Sequence, residues 1–511
     1  MTSDRLPVPV AALAGLLSVA AGLATGHLLG GFISPGASAF LAVGAAAIDL
    51  TPSWLKDFAV RAFGSYDKIV LLGGMAVVLA VLGLAAGLVS RRSATPGLWL
   101  LAVLGVLAGA AVISRPSAGS LDALAPLGAL LASTGTLTVL HRLGQPSQPV
   151  TGDGEPVVGR RALLTASAAI AAGAGTAAAA GQMLAGREGV EASRQVVGRI
   201  VPAASPPTIP AGADFAAEGS PTFITPNRDF YRVDVNLTLP RLRAEDWRLR
   251  IHGMVKREMT IDWAGLTSRD LITRPVTLTC VSNEVGGPYI STAQFTGVLL
   301  AGILAEAGVD PGADQALTTS ADGWTCGTPA AALTDPATQA MLVIGMNGEP
   351  LPIEHGFPVR MIVPGLYGFV SATKWITGME FTTFGARRAY WYERGWAQRA
   401  PIKTMSQIDS PGYFERVSPD TPITGVAWAP RRGIEKVEVR LDHGVWQPAE
   451  LSAEVNVDTW RMFRLRGRWS PGAHVAEVRA TDKSGYVQTQ DRAAPIPDGA
   501  TGWHSVQFTV Q

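Results

Sequence analysis

Hydrophobic positions are concentrated in the first 185 residues of the chain. Five stretches there are apolar over roughly 20 residues, about the length at which a helix crosses a bilayer. They predict five membrane-spanning helices, over Val8–Gly30, Ile69–Ser90, Gly97–Ser114, Ala123–Leu140 and Leu163–Met183. A sixth apolar stretch, Ala37–Ile48, is too short to cross, so we expect it at the membrane surface or packed in an outer loop.

After residue 185 the pattern becomes that of a water-exposed protein. Residues 186–220 are rich in Pro, Ala and Gly and predict a linker. Residues 221–400 mix short strands with a helix predicted over Thr296–Ala307, which indicates an α+β domain. Residues 401–511 alternate apolar and polar positions between Gly- and Pro-containing turns. The last region therefore predicts an all-β, immunoglobulin-like sandwich behind an N-terminal α-helical transmembrane bundle of residues 1–185.

Charge separates the two halves and orients the first. The chain has 42 Lys+Arg and 41 Asp+Glu, and only 17 of these charges lie in residues 1–185. A net charge of +1 gives no reason to expect a nucleic-acid partner. Six basic residues flank the predicted spans on one side, namely Arg5, Arg91, Arg92, Arg142, Arg160 and Arg161. Four flank the other side, namely Lys56, Arg61, Lys68 and Arg115.

The bias of these basic residues favours the first side as cytoplasmic. The prediction is a multi-pass protein of the cell membrane, with its catalytic and C-terminal domains on the extracytoplasmic side. The pair Arg160 and Arg161, followed by an Ala-rich apolar run, is also similar to a twin-arginine export signal. Two ordinary cytoplasmic arginines explain the pair equally well.

Cysteine usage points to one position of chemical interest. Two cysteines in 511 residues exclude a disulfide scaffold and a four-cysteine metal site. Cys280 ends a predicted apolar strand and precedes a loop bounded by Gly286 and Gly287. A thiolate in such a position suits a soft or high-valent metal, although a lone cysteine is more often a small buried side chain.

A second segment gathers cations around a glycine-rich loop. Glu354–Arg360 contains His355 and Arg360, and Val363–Trp375 adds Lys374 and two glycines. Cationic side chains with accessible backbone amides can hold a large anionic cofactor that carries a phosphate. The alternative is a strand–turn–strand unit with incidental charges.

Three segments together resemble the sulfite oxidase family of molybdopterin-dependent oxidoreductases: Thr277–Asn283, Glu354–Arg360 and Val363–Trp375. Their order and spacing are similar to those of the family, and the resemblance covers about residues 220–511. The N-terminal helices are similar to those of some membrane-bound bacterial members. The resemblance implies a molybdopterin-binding catalytic domain over residues 221–400, a dimerisation-type sandwich over 401–511, and a molybdenum–molybdopterin cofactor.

The resemblance also implies roles for individual residues. Cys280 matches the thiolate that binds molybdenum. Tyr392 is the best match to the active-site tyrosine, with Tyr390 close behind. The residues expected to hold the pterin and its phosphate are Asn227, His355, Arg360, Ser371 and Lys374.

The reaction implied is oxygen-atom transfer on a small sulfur-containing substrate. Sulfite oxidases have an arginine just before the asparagine that matches Asn227, and here that position is Pro226. This difference favours a neutral sulfoxide, including oxidised methionine, and hence a sulfoxide reductase as the alternative to a sulfite oxidase. The arginines that could partly replace the missing cation are Arg228, Arg232, Arg387 and Arg388.

Partners and alternatives stay open at this stage. The chain has no haem-attachment motif and no nucleotide-binding glycine motif after a predicted strand, so a separate redox protein or a membrane quinone route should carry the electrons. A homodimer is left open. Cys326 is expected to be a passive loop thiol, the other options being a second thiol near the pocket or a disulfide with Cys280. The alternative of another class is a non-catalytic membrane-tethered binding protein with a decayed cofactor site.

Overall fold

A computed structural model gives the fold. It describes residues 5–33, 37–52, 55, 58, 62–63, 67–115, 118–145, 158–184, 188–198, 200, 202–203, 205–235, 237 and 239–511. The chain forms two compact units, residues 1–189 with 234–241, and residues 190–233 with 242–511. Lys56, Arg61 and the predicted boundary at residues 185 and 186 lie outside the described residues.

The first unit is helical. Its helices are α1 (Val8–Ile33), α2 (Ala39–Leu50), α3 (Asp67–Val89), α4 (Thr95–Ile113), α5 (Leu124–Gly144) and α6 (Val158–Leu184). Within the described part of the chain, five of them are long and apolar enough to cross a membrane, as judged by length and composition. The exception is α2, with 12 residues. The five predicted apolar stretches therefore correspond to α1, α3, α4, α5 and α6.

Small residues set the spacing within this unit. A Cβ built on Gly87 of α3 would lie 1.9 Å from the carbonyl oxygen of Ala11 in α1. A Cβ built on Gly15 of α1 would lie 2.0 Å from the carbonyl oxygen of Gly83. Glycine at these positions permits the two helix backbones to approach closely.

The second unit begins within a helix, in a region where the sequence predicted a linker. Helix α7 covers Glu188–Val197, so the linker prediction is wrong for this part of residues 186–220. Val190 is buried in a core cluster and Val197 packs against the same cluster, seven residues later. The two-turn spacing of these valines places them on one helix face. The Pro-rich composition of the residues that follow concealed this short amphipathic pattern.

The next region contains ten strands and three short helices. In chain order the strands are β1 (Arg248–Gly253), β2 (Met259–Asp262), β3 (Ile272–Thr279), β4 (Ile290–Leu299), β5 (Gln315–Ser320), β6 (Thr325–Pro329), β7 (Met341–Met346), β8 (Glu349–Pro350), β9 (Arg360–Ile362) and β10 (Ile376–Thr382). The helices are α8 (Trp263–Thr267), α9 (Leu300–Ala307) and α10 (Ala330–Thr334). The helix predicted over Thr296–Ala307 is wrong for its first four residues, because they extend β4 along β7.

These strands form two sheets. The first has the order β2-β1-β10-β5-β6, with β1 and β10 parallel. The second has the order β3-β4-β7-β8, and β9 also pairs with β7. Side chains from both sheets and from α9 share one core, which includes Leu249, Leu304, Leu342 and Phe381. The region is thus an α+β domain, as predicted.

The C-terminal region is β-rich. Its strands are β11 (Met405–Ser410), β12 (Arg416–Val417), β13 (Ile423–Trp428), β14 (Ile434–Leu441), β15 (Gln447–Pro448), β16 (Glu450–Leu451), β17 (Arg461–Leu465), β18 (Gly472–Asp482) and β19 (His504–Val510). They form one sheet of order β11-β13-β17-β16 and another of order β12-β19-β18-β14-β15. Both sheets contribute to one core, in which Ile423 and Phe463 meet Val478 and Phe508.

The β-rich region covers the free edge of β3, which is an edge strand of its sheet. The Thr277 N–H donates to the carbonyl oxygen of Asp458 at 3.0 Å, and the Trp460 N–H donates to Thr277 Oγ1 at 2.7 Å. The Asn456 amide donates to the Pro275 carbonyl oxygen at 3.1 Å, and Arg274 forms an ion pair with the buried Asp458 at 2.7 Å. Residues 456–460 therefore lie along the outer edge of the strand that leads to Cys280, in the position of an additional strand.

Candidate active site

Cys280 lies immediately after β3, at the start of a tightly held loop. Its N–H donates to the Tyr289 carbonyl oxygen at 3.0 Å, and its own carbonyl oxygen accepts from the Asn283 N–H at 3.1 Å. The buried Asn283 side chain accepts from the Tyr289 N–H at 2.7 Å and so closes the loop. Burial raises the pKa of the Cys280 thiol, while hydrogen bonds from Ser282 and the positive charge of Lys374 act in the opposite direction.

The same loop rests against the β-rich region through Gly286. This glycine has φ +79°, and a Cβ built on it would lie 2.2 Å from Nε2 of His504. His504 is buried, and its Nδ1 accepts from the Ile408 N–H at 3.0 Å, which leaves Nε2–H to donate to the Tyr413 hydroxyl at 3.1 Å. Burial lowers the pKa of His504 to about 4, so the ring is neutral at physiological pH. A fixed imidazole thus sets the position of the loop that follows Cys280.

His355 closes the 3₁₀ turn Ile353–His355 and is 2% exposed. Its Nε2 lies 3.1 Å from the carbonyl oxygen of Asn227. A carbonyl can only accept, so Nε2 carries the hydrogen and the neutral ring presents the lone pair of Nδ1. Burial lowers the pKa of His355 to about 4, and the charges of Arg360 and Lys374 add to this effect.

Arg360 and Lys374 bring two further cations to this place. Arg360 is 4% exposed and donates through Nη1 to the His355 carbonyl oxygen at 3.2 Å. Lys374 donates through Nζ to the carbonyl oxygen of Glu354 at 3.0 Å. A Cβ built on Gly356, at φ +111°, would lie 3.1 Å from the Cβ atoms of both cations. The turn needs glycine here, because its left-handed backbone packs directly between Arg360 and Lys374.

Asn227 joins the two segments. Its Nδ2 donates to Glu349 and to the Met346 carbonyl oxygen, the second at 3.3 Å. Its Oδ1 accepts from the Asn347 amide at 2.8 Å. Asn227 is therefore bound through its side chain to the β7–β8 turn and through its carbonyl oxygen to His355.

Ser371 lies in the glycine-rich loop, as expected from the sequence. Its side chain is buried, and its Oγ lies 3.0 Å from the carbonyl oxygens of both Leu366 and Tyr367. The hydroxyl hydrogen is thus directed into the loop itself. Ser371 braces the glycine-rich loop, and its contact with a phosphate stays a prediction.

Cys326 lies beneath this loop in a cluster of buried threonines. It is a free thiol, as is Cys280, so the two cysteines form no disulfide. Its Sγ is 3.7 Å from Thr328 Oγ1, and Thr328 in turn donates to the Val370 carbonyl oxygen at 2.8 Å. Burial raises the pKa of the Cys326 thiol. Cys326 lies within β6, so the expected loop position is wrong, and its passive role stays a prediction.

Two tyrosines, Tyr231 and Tyr367, lie close enough to Cys280 for its charge to raise their pKa values. Burial raises the pKa of Tyr231, the neighbouring Cys280 adds to the increase, and Arg360 opposes it. A Cβ built on Gly368 would lie 3.8 Å from both the Tyr231 hydroxyl and the Thr279 carbonyl oxygen. Sequence reasoning overlooked Tyr231, although it follows Asn227 by only four residues.

The two predicted tyrosines, Tyr390 and Tyr392, lie in the segment between β10 and β11. Tyr392 is 38% exposed and lines a small pocket with Phe369 and Trp391. Tyr390 stacks under Arg394, whose guanidinium carbon is 3.5 Å from the ring centroid. The catalytic role of both residues remains a prediction.

The arginines proposed as substitutes at the substrate position are exposed. Pro226 begins a turn in which its carbonyl oxygen accepts from the Asp229 and Phe230 N–H groups. The Arg228 side chain is 87% exposed and pairs with Asp229. The Arg387 side chain is 55% exposed and pairs with Glu380. Arg360 and Lys374 are therefore the cations whose charges act on the buried groups of the site.

The donor set fits a metal that carries most of its own ligands. Among the described residues, no group of three or more His, Cys, Asp and Glu side chains could hold a metal ion. A metal at Cys280 would thus take one protein thiolate and other ligands from a cofactor. Thr279 Oγ1, next to Cys280, is buried with no hydrogen-bond partner in the described part of the chain, which leaves a polar atom for a bound group. With Arg360 and Lys374 close by, these residues fit an anionic metal-binding cofactor.

Known proteins provide an independent comparison. Residues 236–391 match the model of the oxidoreductase molybdopterin binding domain. Mitochondrial sulfite oxidase of Homo sapiens is 29% identical over 343 residues, which are 56% of this chain and 62% of that protein. The nitrate reductase (NADPH) of Emericella nidulans is 33% identical over 183 residues, which are 31% of this chain and 21% of that protein. The chain thus spans less than two thirds of the length of these relatives.

A solved structure is also similar. The sulfane dehydrogenase SoxCD from Paracoccus pantotrophus has a TM-score of 0.48 and 24% sequence identity, over 55% of this chain and 79% of that chain. The domain match and the curated relatives agree with the three segments identified in the sequence. The chain therefore carries a molybdopterin-binding oxidoreductase domain of the sulfite oxidase family, whose cofactor is molybdenum–molybdopterin.

Proposed function

We propose that the chain is a membrane-anchored molybdenum-cofactor oxidoreductase that transfers an oxygen atom to or from a small sulfur-containing substrate outside the cytoplasm. The observation that carries this proposal is the position of Cys280. Its thiol lies at the end of a buried strand, where the positive charge of Lys374 acts on it, and Lys374 packs beside the turn that ends at His355. This arrangement lies within the residues that match the molybdopterin-binding domain.

The side chains have complementary tasks. Bound molybdenum–molybdopterin supplies the exchange of one oxygen atom and two electrons. Cys280 would provide the thiolate ligand; burial raises the pKa of its thiol, and the positive charge of Lys374 partly offsets that increase. Arg360 and Lys374 neutralise the phosphate of the cofactor. A phosphate near Nδ1 of His355 would raise the pKa of that ring from its low value and so bring a proton to the site.

We expect the Tyr231 hydroxyl, on whose pKa the charges of Cys280 and Arg360 both act, to donate a hydrogen bond beside the thiol. Since burial raises its pKa, Tyr231 keeps its proton over the physiological range. It would thus orient an oxygen atom of the substrate and would not act as a base.

A neutral sulfoxide is the favoured substrate. Pro226 occupies the position of the substrate arginine, and the neighbouring Arg228 side chain is exposed and paired with Asp229. A sulfite dianion would therefore lack a dedicated cation at that position. Reduction of sulfoxides, including methionine sulfoxide, is accordingly our first choice, with sulfite oxidation as the second.

The membrane assignment belongs to the same proposal. Five helices with the length and composition of spans support an anchor, and the basic residues favour an extracytoplasmic active site. Electrons would then come from a separate redox protein or from membrane quinone. The two facing sheets of the β-rich region are compatible with an immunoglobulin-like dimerisation domain.

Metal analysis and a paired activity assay test the proposal. The full chain should contain about one molybdenum per protein, Cys280→Ser should lose it, and Cys326→Ser, the matched control, should keep it. Molybdenum absent from the wild type, or retained by Cys280→Ser, contradicts the proposal. Activity is then measured as methionine sulfoxide reduction and as sulfite oxidation, each with an artificial electron mediator. A protein that keeps the cofactor but turns over neither class of substrate would instead be a membrane-tethered binding protein.

A further inference from the structure

Helix α7 is docked onto the domain that carries the candidate site. Val190, 5% exposed, lies in a core cluster that also contains Phe230 and Phe357. Ser193 donates to Glu245 at 2.6 Å and accepts from the Ala244 N–H at 3.0 Å. The segment that follows the last predicted span is therefore an integral part of this domain.

One side chain of α7 extends toward the strand that leads to His355. Arg194 donates through Nε to the Leu351 carbonyl oxygen at 2.9 Å and through Nη2 to the Pro350 carbonyl oxygen at 2.9 Å. Nη2 also donates to Glu349 Oε2 at 3.0 Å. The Arg194 side chain is only 18% exposed. Its planar guanidinium satisfies three acceptors on consecutive residues, an arrangement that the single ammonium of a lysine cannot reproduce.

Glu349 links Arg194 to residues of the candidate site. One of its carboxylate oxygens accepts from Arg194 and the other accepts from the Asn227 amide. The Asn227 carbonyl oxygen in turn accepts from Nε2 of His355 at 3.1 Å. Three consecutive contacts thus connect α7 with two residues of the candidate site.

The backbone provides a second connection. Leu351 is fully buried, and its N–H donates to the Ile344 carbonyl oxygen at 3.0 Å. His355 follows Leu351 by four residues, so Arg194 binds the chain directly before the turn that presents His355. Both connections therefore lead to His355, the first through the side chains of Glu349 and Asn227 and the second through the backbone of residues 351–355.

We propose that Arg194 is a positioning residue for the cofactor site, and that α7 is a working part of that site. Arg194 holds Glu349 and the β8–His355 segment, and through them it fixes Asn227 and His355. The consequence for the cofactor rests on the proposed function, whereas the consequence for the protein's own contacts does not.

Hydrogen exchange of the full chain in detergent tests the contacts directly. Arg194→Ala should increase exchange by at least about tenfold in peptides that cover residues 347–356 and 225–231, a factor that corresponds to about 1.4 kcal/mol. Arg194→Lys should recover only part of the protection. Gln195→Ala changes an exposed neighbour on the same helix and should exchange like the wild type. Unchanged exchange in Arg194→Ala, or an equal increase throughout residues 242–511, would overturn the inference.

Cofactor retention tests the functional consequence. On prolonged dialysis, Arg194→Ala and Glu349→Gln should lose molybdenum and pterin several-fold faster than the wild type and Gln195→Ala. The double variant should lose them no faster than the single variants, because the two residues act through one connection. The positioning role would be contradicted if the double variant lost the cofactor at a rate that sums the two single effects, or if Arg194→Ala lost it no faster than the wild type. A wild type without molybdenum would refute the proposed function, and the exchange result would still decide the role of Arg194.

Discussion

The loop that carries Cys280 should be sensitive to a single methyl group at Gly286. In Gly286→Ala, the added Cβ would lie 2.2 Å, 2.3 Å and 2.9 Å from three ring atoms of His504. The ring cannot turn away freely, because its two nitrogens bond to Ile408 and Tyr413. The substitution therefore forces the Cys280 loop and the β-rich region apart.

Two effects set the magnitude. An L-residue at φ +79° costs about 1–2 kcal/mol. Overpacking against a fixed neighbour costs about 1–3 kcal/mol more. Gly286→Ala should therefore destabilise the protein by about 2–5 kcal/mol. Gly485 is the matched control, since it has φ +88° and open space where its Cβ would lie. Gly485→Ala should lose only the stability that an L-residue costs at a positive φ, about 1–2 kcal/mol.

The assay is urea unfolding of the detergent-solubilised chain, followed by tryptophan fluorescence, with molybdenum content measured in parallel. Gly286→Ala should unfold at lower urea than Gly485→Ala and should retain less molybdenum. In a His504→Ala background the steric part should vanish, so that the two alanine substitutions cost the same. Equal midpoints for Gly286→Ala and Gly485→Ala in the otherwise wild-type chain would refute the reasoning.

Three further predictions concern pH, the covered strand edge and topology. Burial lowers the pKa of His504 from 6.5 to about 4, so protonation of this ring opposes folding below pH 6.5. As the pH falls from 6.5 to 4, the free energy of unfolding of the wild type should decrease by up to about 3 kcal/mol relative to His504→Gln, with no such difference above pH 6.5. Urea unfolding at several pH values checks this. Asp458→Ala leaves the guanidinium of Arg274 buried without its carboxylate and should cost about 3–5 kcal/mol in urea unfolding, whereas a cost under about 1 kcal/mol would contradict the role of that ion pair. A reporter enzyme fused after residue 200 should be active only outside the cytoplasm, and cytoplasmic activity would reverse the proposed orientation.

Local patterns predicted much of the fold. The alternation in residues 401–511 predicted a β-rich region, and β14 shows its origin, since Val437 and Val439 are buried while Glu438 and Arg440 are partly exposed. Strand β13 is buried along its whole length. The helix predicted over Thr296–Ala307 began four residues too early, because the apolar run Val298–Leu299 suits a strand as well as a helix. These residues form a strand because β4 pairs with β7, and β7 lies more than 40 residues further along the chain.

The candidate site was likewise predictable only where its residues lie in segments that are recognisable by themselves. Cys280, His355, Arg360 and Lys374 lie within recognisable segments, and the structure brings those segments together. Tyr231 was missed because its place depends on a distant contact. The Tyr231 N–H donates to Ser291 Oγ at 3.2 Å, which sets this segment beside β4. No pattern within residues 225–231 indicates which strand they accompany.

The covered edge of β3 has a consequence for how the protein is made. An unpaired edge strand is a template for pairing with another chain. During synthesis β3 is complete almost 180 residues before the segment 456–460 that covers it, so a nascent chain exposes this edge for that whole interval. The strand that presents Cys280 gains its second neighbour only when the β-rich region folds. Cofactor loading should accordingly follow synthesis of the C-terminal region, and chains interrupted before residue 456 should aggregate through β3 and remain without metal.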